Sequence, residues 1–254
     1  MKSDVLKQMF DNPPPKMGLP EPKEMPRMPT ARIPCSPEEL QVHLQNYIKL
    51  MKEKGADDAR IVNAREIPQD PRVLLKCSSP KCPFYGRSGS CPPHCTGTFQ
   101  QAKEFLNAYT WAIVYRVDIP EEGRQYVTGP ALIEQIKTKE GQHRLASMQR
   151  YCWHMGDAVQ SAAYYDGHYF VINCHFGPCL TSLCEGFDHC QEIKSGICRF
   201  PTIAKPSVEQ TFCVDFIKLA AKFGWNHYMW GYCANAQDYP KDHTPFAIGL
   251  ILID

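Results

Sequence analysis

From Leu40 onward the apolar positions of this chain alternate between helical and strand patterns. Leu40, Leu44, Tyr47, Ile48 and Met51 recur three and four apart, which puts them on one face of a helix. The preceding Ser36-Pro37-Glu38-Glu39 carries the start signals. Its hydroxyl caps, its proline suits the first turn, and Glu39 completes a capping box. Gly55 supplies the stop. Residues 59–64 read as a short strand, a helix is expected near Phe99–Tyr109, and Trp111–Tyr115 reads as a strong strand. Leu145, Met148, Cys152, Met155, Val159 and Ala162 mark one face of a long helix. Tyr169–Asn173 reads as a strand. Ser207 opens a helix with Val208, Phe212, Phe216, Leu219, Ala220 and Phe223 apolar. The unbroken apolar run Phe246–Ile253 is typical of a buried strand.

Residues 1–34 show no such period and carry Pro13, Pro14, Pro15, Pro20, Pro22, Pro26, Pro29 and Pro34. A segment this rich in proline sustains neither a helix nor a central strand. It reads as an extended arm, either disordered or laid across another surface. Val5, Leu6, Met9, Phe10, Met17, Leu19, Met25 and Met28 would act as spaced anchors, either in a groove on a partner or along the arm's own domain. The expected organisation is this arm and a cysteine-rich domain over 35–254, with halves about 35–125 and 126–254. Strand, cysteine cluster, helix, strand occurs twice. The fold class expected is therefore α+β, a ferredoxin-like or related two-layer domain with two similar halves.

Composition changes the picture mainly through cysteine. The 254 residues are 43% hydrophobic, enough for a real core. Lys+Arg 28 against Asp+Glu 27 gives a net charge of +1, which makes nucleic acid a poor expectation. No apolar run is long enough for a bilayer, and the opening MKSDVLKQMFDNPPP lacks a signal-peptide core. A cytoplasmic location is expected, where thiols stay reduced. There, 13 cysteines favour metal ligation over disulfides. Cys35, Cys152, Cys213 and Cys233 are isolated and read as small buried apolar residues. The others crowd into two stretches.

The first stretch is Cys77-x4-Cys82-Pro-Phe-Tyr-Gly-Arg-Ser-Gly-Ser-Cys91-Pro-Pro-His-Cys95. Four thiolates meet the demand of one [4Fe–4S] centre, and His94 is a weaker candidate ligand. Gly86 and Gly89 allow tight turns; Pro83, Pro92 and Pro93 stiffen them. The second is Cys174-His175-Phe-Gly-Pro-Cys179-x4-Cys184-x5-Cys190-x7-Cys198. Cys179, Cys184, Cys190 and Cys198 lie in the loop and are the expected ligands. Cys174 ends a strand and is the weaker candidate. Neither stretch has the paired C-x2-C knuckles usual for structural zinc, which stays as the alternative cofactor.

Cys82-Pro-x-Tyr-Gly-x4-Cys91-Pro-Pro, followed by Gly177-Pro-Cys179 and Cys198-Arg-x-Pro201-x4-Pro206-Ser-x-Glu209, resembles the domain-of-unknown-function 2284 family. The similarity covers roughly residues 38–253 and leaves the arm outside. It implies a metal-binding protein of anaerobic metabolism and no particular reaction. The chain departs from the family in spacing its first pair C-x4-C rather than C-x2-C, and in having Cys95. The fourth ligand of the first centre is thus open between Cys95, His94 and an external group.

Three functions follow. The first is electron transfer through two [4Fe–4S] clusters to a redox partner protein or larger enzyme complex. The chain has no Walker A motif, no G-x-G-x-x-G and no C-x3-C-x2-C, so no nucleotide or flavin site of its own is announced. The second is an iron–sulfur enzyme or activator with substrate at an incompletely ligated cluster, with His94, His175, His189 and Tyr85 nearby for acid–base work. Hydrogen bonding to sulfur, or packing, is the plainer role for each. The third is a zinc-stapled assembly protein. Trp225, Tyr228, Trp230 and Tyr232 read as hairpin packing.

Overall fold

The computed structural model of the protein describes residues 35–95, 97–124, 126–127, 134–225 and 244–254. The proline-rich arm, Cys233, Tyr228, Trp230 and Tyr232 lie outside the described residues.

Helix α1 runs Pro37–Glu53 and starts where its signals place it. The Glu39 N–H donates to Ser36 Oγ at 3.2 Å and the Ser36 N–H donates to the Glu39 carboxylate at 2.8 Å. Gly55 then takes a φ of 115°, which favours glycine, and turns the chain into β1, Asp58–Asn63. Helix α2 (Phe99–Asn107) has its own capping box from Thr98 and Gln101. Strand β2 is Trp111–Asp118, helix α3 is Lys139–Tyr165 and strand β3 is Ile172–Cys174. Helices α4 (Val208–Phe212) and α5 (Phe216–Lys222) precede strand β4, Phe246–Ile253. No helix among the described residues is long and apolar enough to cross a membrane.

The four described strands form one sheet in the order β1-β2-β4-β3, every neighbouring pair antiparallel. Ile113 of β2 pairs with Ile61 and Ile251; Val114 pairs with Arg60 and Leu250. Side chains alternate along a strand, so consecutive residues of β2 serve opposite faces. Ile113, Tyr115, Ile251 and Ile253 pack with Leu44, Tyr47 and Met51 of α1 and Trp153, Met155 and Val159 of α3. Val114, Ile248, Leu250 and Leu252 pack with Leu106 of α2 and Phe212, Phe216 and Leu219 of α4 and α5. Every residue of β4 is buried, which accounts for its unbroken apolar sequence.

The architecture is α+β, as expected. It has three layers and not two, because the central strands are apolar on both faces and both faces need helical cover. Two other expectations are corrected. Tyr169 and Phe170 sit in an exposed turn, and β3 begins only at Ile172, where pairing with Leu252 starts. The helix expected from Ser207 through Phe223 breaks at Cys213, whose φ of 54° is left-handed. A distant segment imposes the break: Gln69 pairs with Val214, its amide donates to the Phe212 carbonyl at 2.7 Å, and Asp70 N–H donates to the Cys213 carbonyl at 2.9 Å.

Gly249 of β4 faces Tyr115 across the β2–β4 pair, and a Cβ there would overlap the buried phenol ring. Gly249→Ala is expected to destabilise the fold by about 1–3 kcal/mol, the cost of overpacking a filled core. Equilibrium denaturation checks this; an unchanged midpoint would contradict the packing.

Candidate metal centres

The first cysteine loop folds as a series of tight turns. Cys82 N–H donates to the Cys77 carbonyl at 2.9 Å and Tyr85 N–H to the Cys82 carbonyl at 3.0 Å. Gly86, at φ 73°, donates to the Pro92 carbonyl at 2.8 Å, and Cys95 N–H reaches the Cys91 carbonyl at 3.2 Å. These bonds gather the thiols. Cys91 is buried, and Cys77, Cys82 and Cys95 are half-buried. Burial pushes the Cys91 thiol pKa well above its usual value, and the neighbouring Cys77, Cys82, Cys179 and Cys95 push it the same way. Burial, then Cys82 and Glu209, push Cys77 up to about 11. From α4, Gln210 closes the loop: its carbonyl lies 3.5 Å from Cys95 Sγ and its amide nitrogen 4.0 Å from Cys77 Sγ.

The second loop is tied at both ends. His175 N–H donates to the Pro206 carbonyl and Val208 N–H to the His175 carbonyl, each at 2.9 Å. Within it, Cys184 N–H donates to the Cys179 carbonyl at 3.2 Å, and the Phe200 N–H points at Cys198 Sγ at 3.4 Å. Burial raises the Cys184 pKa, with Cys179 adding and Arg199 opposing. Burial raises that of Cys198 too, with the Phe200 N–H opposing and Cys179, Glu192 and Cys190 adding. Helix α3 holds the loop in place. Arg150 donates to the Ser182 carbonyl at 2.8 Å and to Glu185 at 2.9 Å, and Thr181 Oγ donates to Gln149 at 2.9 Å.

The loops follow the strands at opposite edges of the sheet, yet they meet. Buried Ser88 and Ser90 of the first loop each bring a hydroxyl to 3.4 Å from Cys179 Sγ of the second. Ser90 Oγ also accepts the Cys179 N–H at 3.2 Å. A Cβ at Gly89 would meet the Glu192 carboxylate, the movable end of an exposed side chain.

The remaining candidates go elsewhere. Cys174 packs in the apolar core against the α4–α5 side of the sheet, while Cys179 borders the opposite core. Cys152 is a core residue of α3, and Trp225 packs against Phe223 and Phe246. His94 and His189 are exposed. Tyr85 is half-buried, with the Lys81 ammonium 5.6 Å from its ring centre. His175 is buried and stacked on Trp153 at 3.7 Å, with Asp157 3.8 Å from Nε2.

One cluster escaped the sequence reading. Among the described residues, Cys35, His43 and His168 form the one group of three or more His, Cys, Asp or Glu ligand atoms lying within 4.8 Å of one another. Cys35 is therefore not an isolated buried thiol; it is half-exposed and stands beside two histidines. No spacing pattern could have disclosed this, because His43 and His168 are 125 residues apart.

Residues 60–253 match the family model described as "predicted metal-binding protein (DUF2284)". No curated protein and no solved structure matches the chain. The matched span runs from within β1 to the end of β4 and takes in both cysteine loops, and the chain belongs to the domain-of-unknown-function 2284 family of predicted metal-binding proteins.

Proposed function

We propose that the protein binds two [4Fe–4S] clusters and relays single electrons to or from a redox partner. Cys77, Cys82, Cys91 and Cys95 would hold one cluster; Cys179, Cys184, Cys190 and Cys198 would hold the other. The observation that carries this is the closeness of thiols within each loop: Cys77, Cys82 and Cys95 lie near enough to Cys91 to help raise its pKa, and Cys179 and Cys190 do the same to Cys184 and Cys198. Ligating thiols must be deprotonated, and several thiolates sharing one half-buried place need a cation among them. The donor set is soft sulfur throughout, which suits iron–sulfur centres and zinc alike. Sequence favours the former, since neither loop carries the paired C-x2-C knuckles usual for structural zinc.

When bound, such clusters supply a one-electron couple. The chain's own groups would set its level. The Ser88 and Ser90 hydroxyls and the Phe200 N–H lie beside cysteine sulfur, where hydrogen bonds favour the reduced, more negative state. One observation supports the enzyme reading as a second possibility. The Cys95 thiol donates to the Gln210 main-chain carbonyl at 3.5 Å. An iron left open there would take substrate.

Anaerobically purified protein is expected to hold about eight iron and about eight sulfide per chain. Cys184→Ser or Cys198→Ser should remove about half of the iron, while Cys152→Ser, in the core of α3, should leave it unchanged. Stoichiometric zinc with little iron would overturn the proposal. Cys95→Ser separates the two iron–sulfur readings. Loss of cluster makes Cys95 a ligand, and retained iron leaves the fourth position to His94 or to substrate.

Ser88→Ala removes a hydroxyl whose nearest partners are Ser90 Oγ and Cys179 Sγ. It is expected to lower the reduction potential of the second centre by tens of millivolts, on the order of one lost hydrogen bond to sulfur, with iron content unchanged. Redox titration reads this directly. An unmoved potential would mean the hydroxyl does not act on the centre.

A further inference from the structure

We infer that Cys35, His43 and His168 form a mononuclear site for a divalent ion of the zinc type, separate from the two cysteine loops. The three ligands come from three places. Cys35 directly precedes the cap of α1, His43 lies within α1, and His168 follows the end of α3. Nε2 of His168 is 3.1 Å from His43 Nδ1 and 3.9 Å from Cys35 Sγ.

The protonation pattern at His168 gives this meeting its direction. Its ring is buried, and its Nδ1 lies 2.8 Å from the Asp254 carbonyl oxygen. A carbonyl oxygen only accepts, so Nδ1 carries a proton, and the neutral ring then presents its Nε2 lone pair to the other two side chains. A carbonyl on the far nitrogen is also how metal-binding histidines are commonly oriented. The rings of His43 and His168 lie at 84° to each other, with these two nitrogens as their point of approach. Tyr47 steadies the turn that carries His168 by donating to Asp166 at 2.7 Å.

The distances suit one small ion. Zinc bonds of about 2.0–2.1 Å to nitrogen and 2.3 Å to sulfur, in a tetrahedron, place two nitrogens about 3.3 Å apart and nitrogen and sulfur about 3.6 Å apart. The separations found are within a few tenths of an ångström of these. One thiolate and two imidazoles suit zinc and its transition-metal neighbours, and not magnesium or calcium. Cys35 and His43 are half-exposed, which leaves the fourth position to water or an external ligand. Cys35 and His43 precede residue 60, where the family match begins, while His168 lies within the matched span but outside both cysteine loops. Bound metal would pin the residue at the end of the proline-rich arm to α1 and to the turn after α3.

The test uses the full chain, purified with its loop metal in place and given zinc chloride. Iron and zinc are counted in the same samples of wild type, Cys35→Ala and His43→Ala. Wild type is expected to hold one zinc more per chain than either variant, with equal iron. Competition with a chelating dye should show zinc affinity at this site falling by at least about 100-fold in the variants, since a direct ligand is lost. Zinc-edge X-ray absorption should report mixed nitrogen and sulfur ligation that either variant abolishes. His43→Ala changes a half-exposed helix residue, so it keeps the test valid if Cys35→Ala folds poorly. Equal zinc in all three proteins, or an all-sulfur zinc environment in wild type, overturns the inference. If the loops hold zinc instead of clusters, iron is absent while the one-zinc difference persists, so the two readings fail separately.

Discussion

Crowding thiols together in a half-buried place is unfavourable once they ionise, and this constraint governs the whole cysteine region. Cys91 is pushed up by burial and then by four neighbouring thiols drawn from both loops. As thiols these residues tolerate their surroundings; as thiolates they repel. A cation at the centre reverses the balance by favouring the deprotonated form of every ligand at once. The loops have little apolar packing to order them. The small apolar cluster of Leu180, Cys184, Cys190 and Phe200 is far more modest than the two cores flanking the sheet. Metal binding should therefore supply a large share of the folding energy of the loops.

The rest of the fold holds that region in place. The sheet buries β2 and β4 from both sides and so provides a rigid frame. Helix α3 lies along one face and reaches the second loop through Arg150, Gln149 and Trp153, the last donating to the Phe176 carbonyl at 3.3 Å. Helix α4 lies on the other face and reaches the first loop through Gln210. Contact through Ser88, Ser90 and Cys179 then fixes the loops against each other. An electron relay would benefit from this arrangement, because two centres in touching loops would pass charge over a short path.

Much of the scaffold was legible in the sequence, because its signals are local. The capping box at Ser36, the helical period through α3 and the apolar run of β4 each act within a few residues and appear where expected. The misses have a common cause. Cys213 breaks a helix because Gln69 and Asp70 pair with the backbone around it. The layer count rests on which faces the helices cover, and alternation along one strand does not disclose that. Ser88 and Ser90 meet Cys179 across 91 and 89 residues, and the Cys35–His43–His168 group is equally non-local. Sequence spacing delimited the two cysteine loops, but it held no sign that they touch.

That contact makes electron paramagnetic resonance of the anaerobic, chemically reduced full chain the most direct measurement. Two reduced [4Fe–4S] clusters in touching loops should give overlapping signals, broadened and split by magnetic coupling, and Cys184→Ser should collapse them to one uncoupled signal. A colourless protein with no signal and zinc in both loops would contradict the iron–sulfur assignment outright.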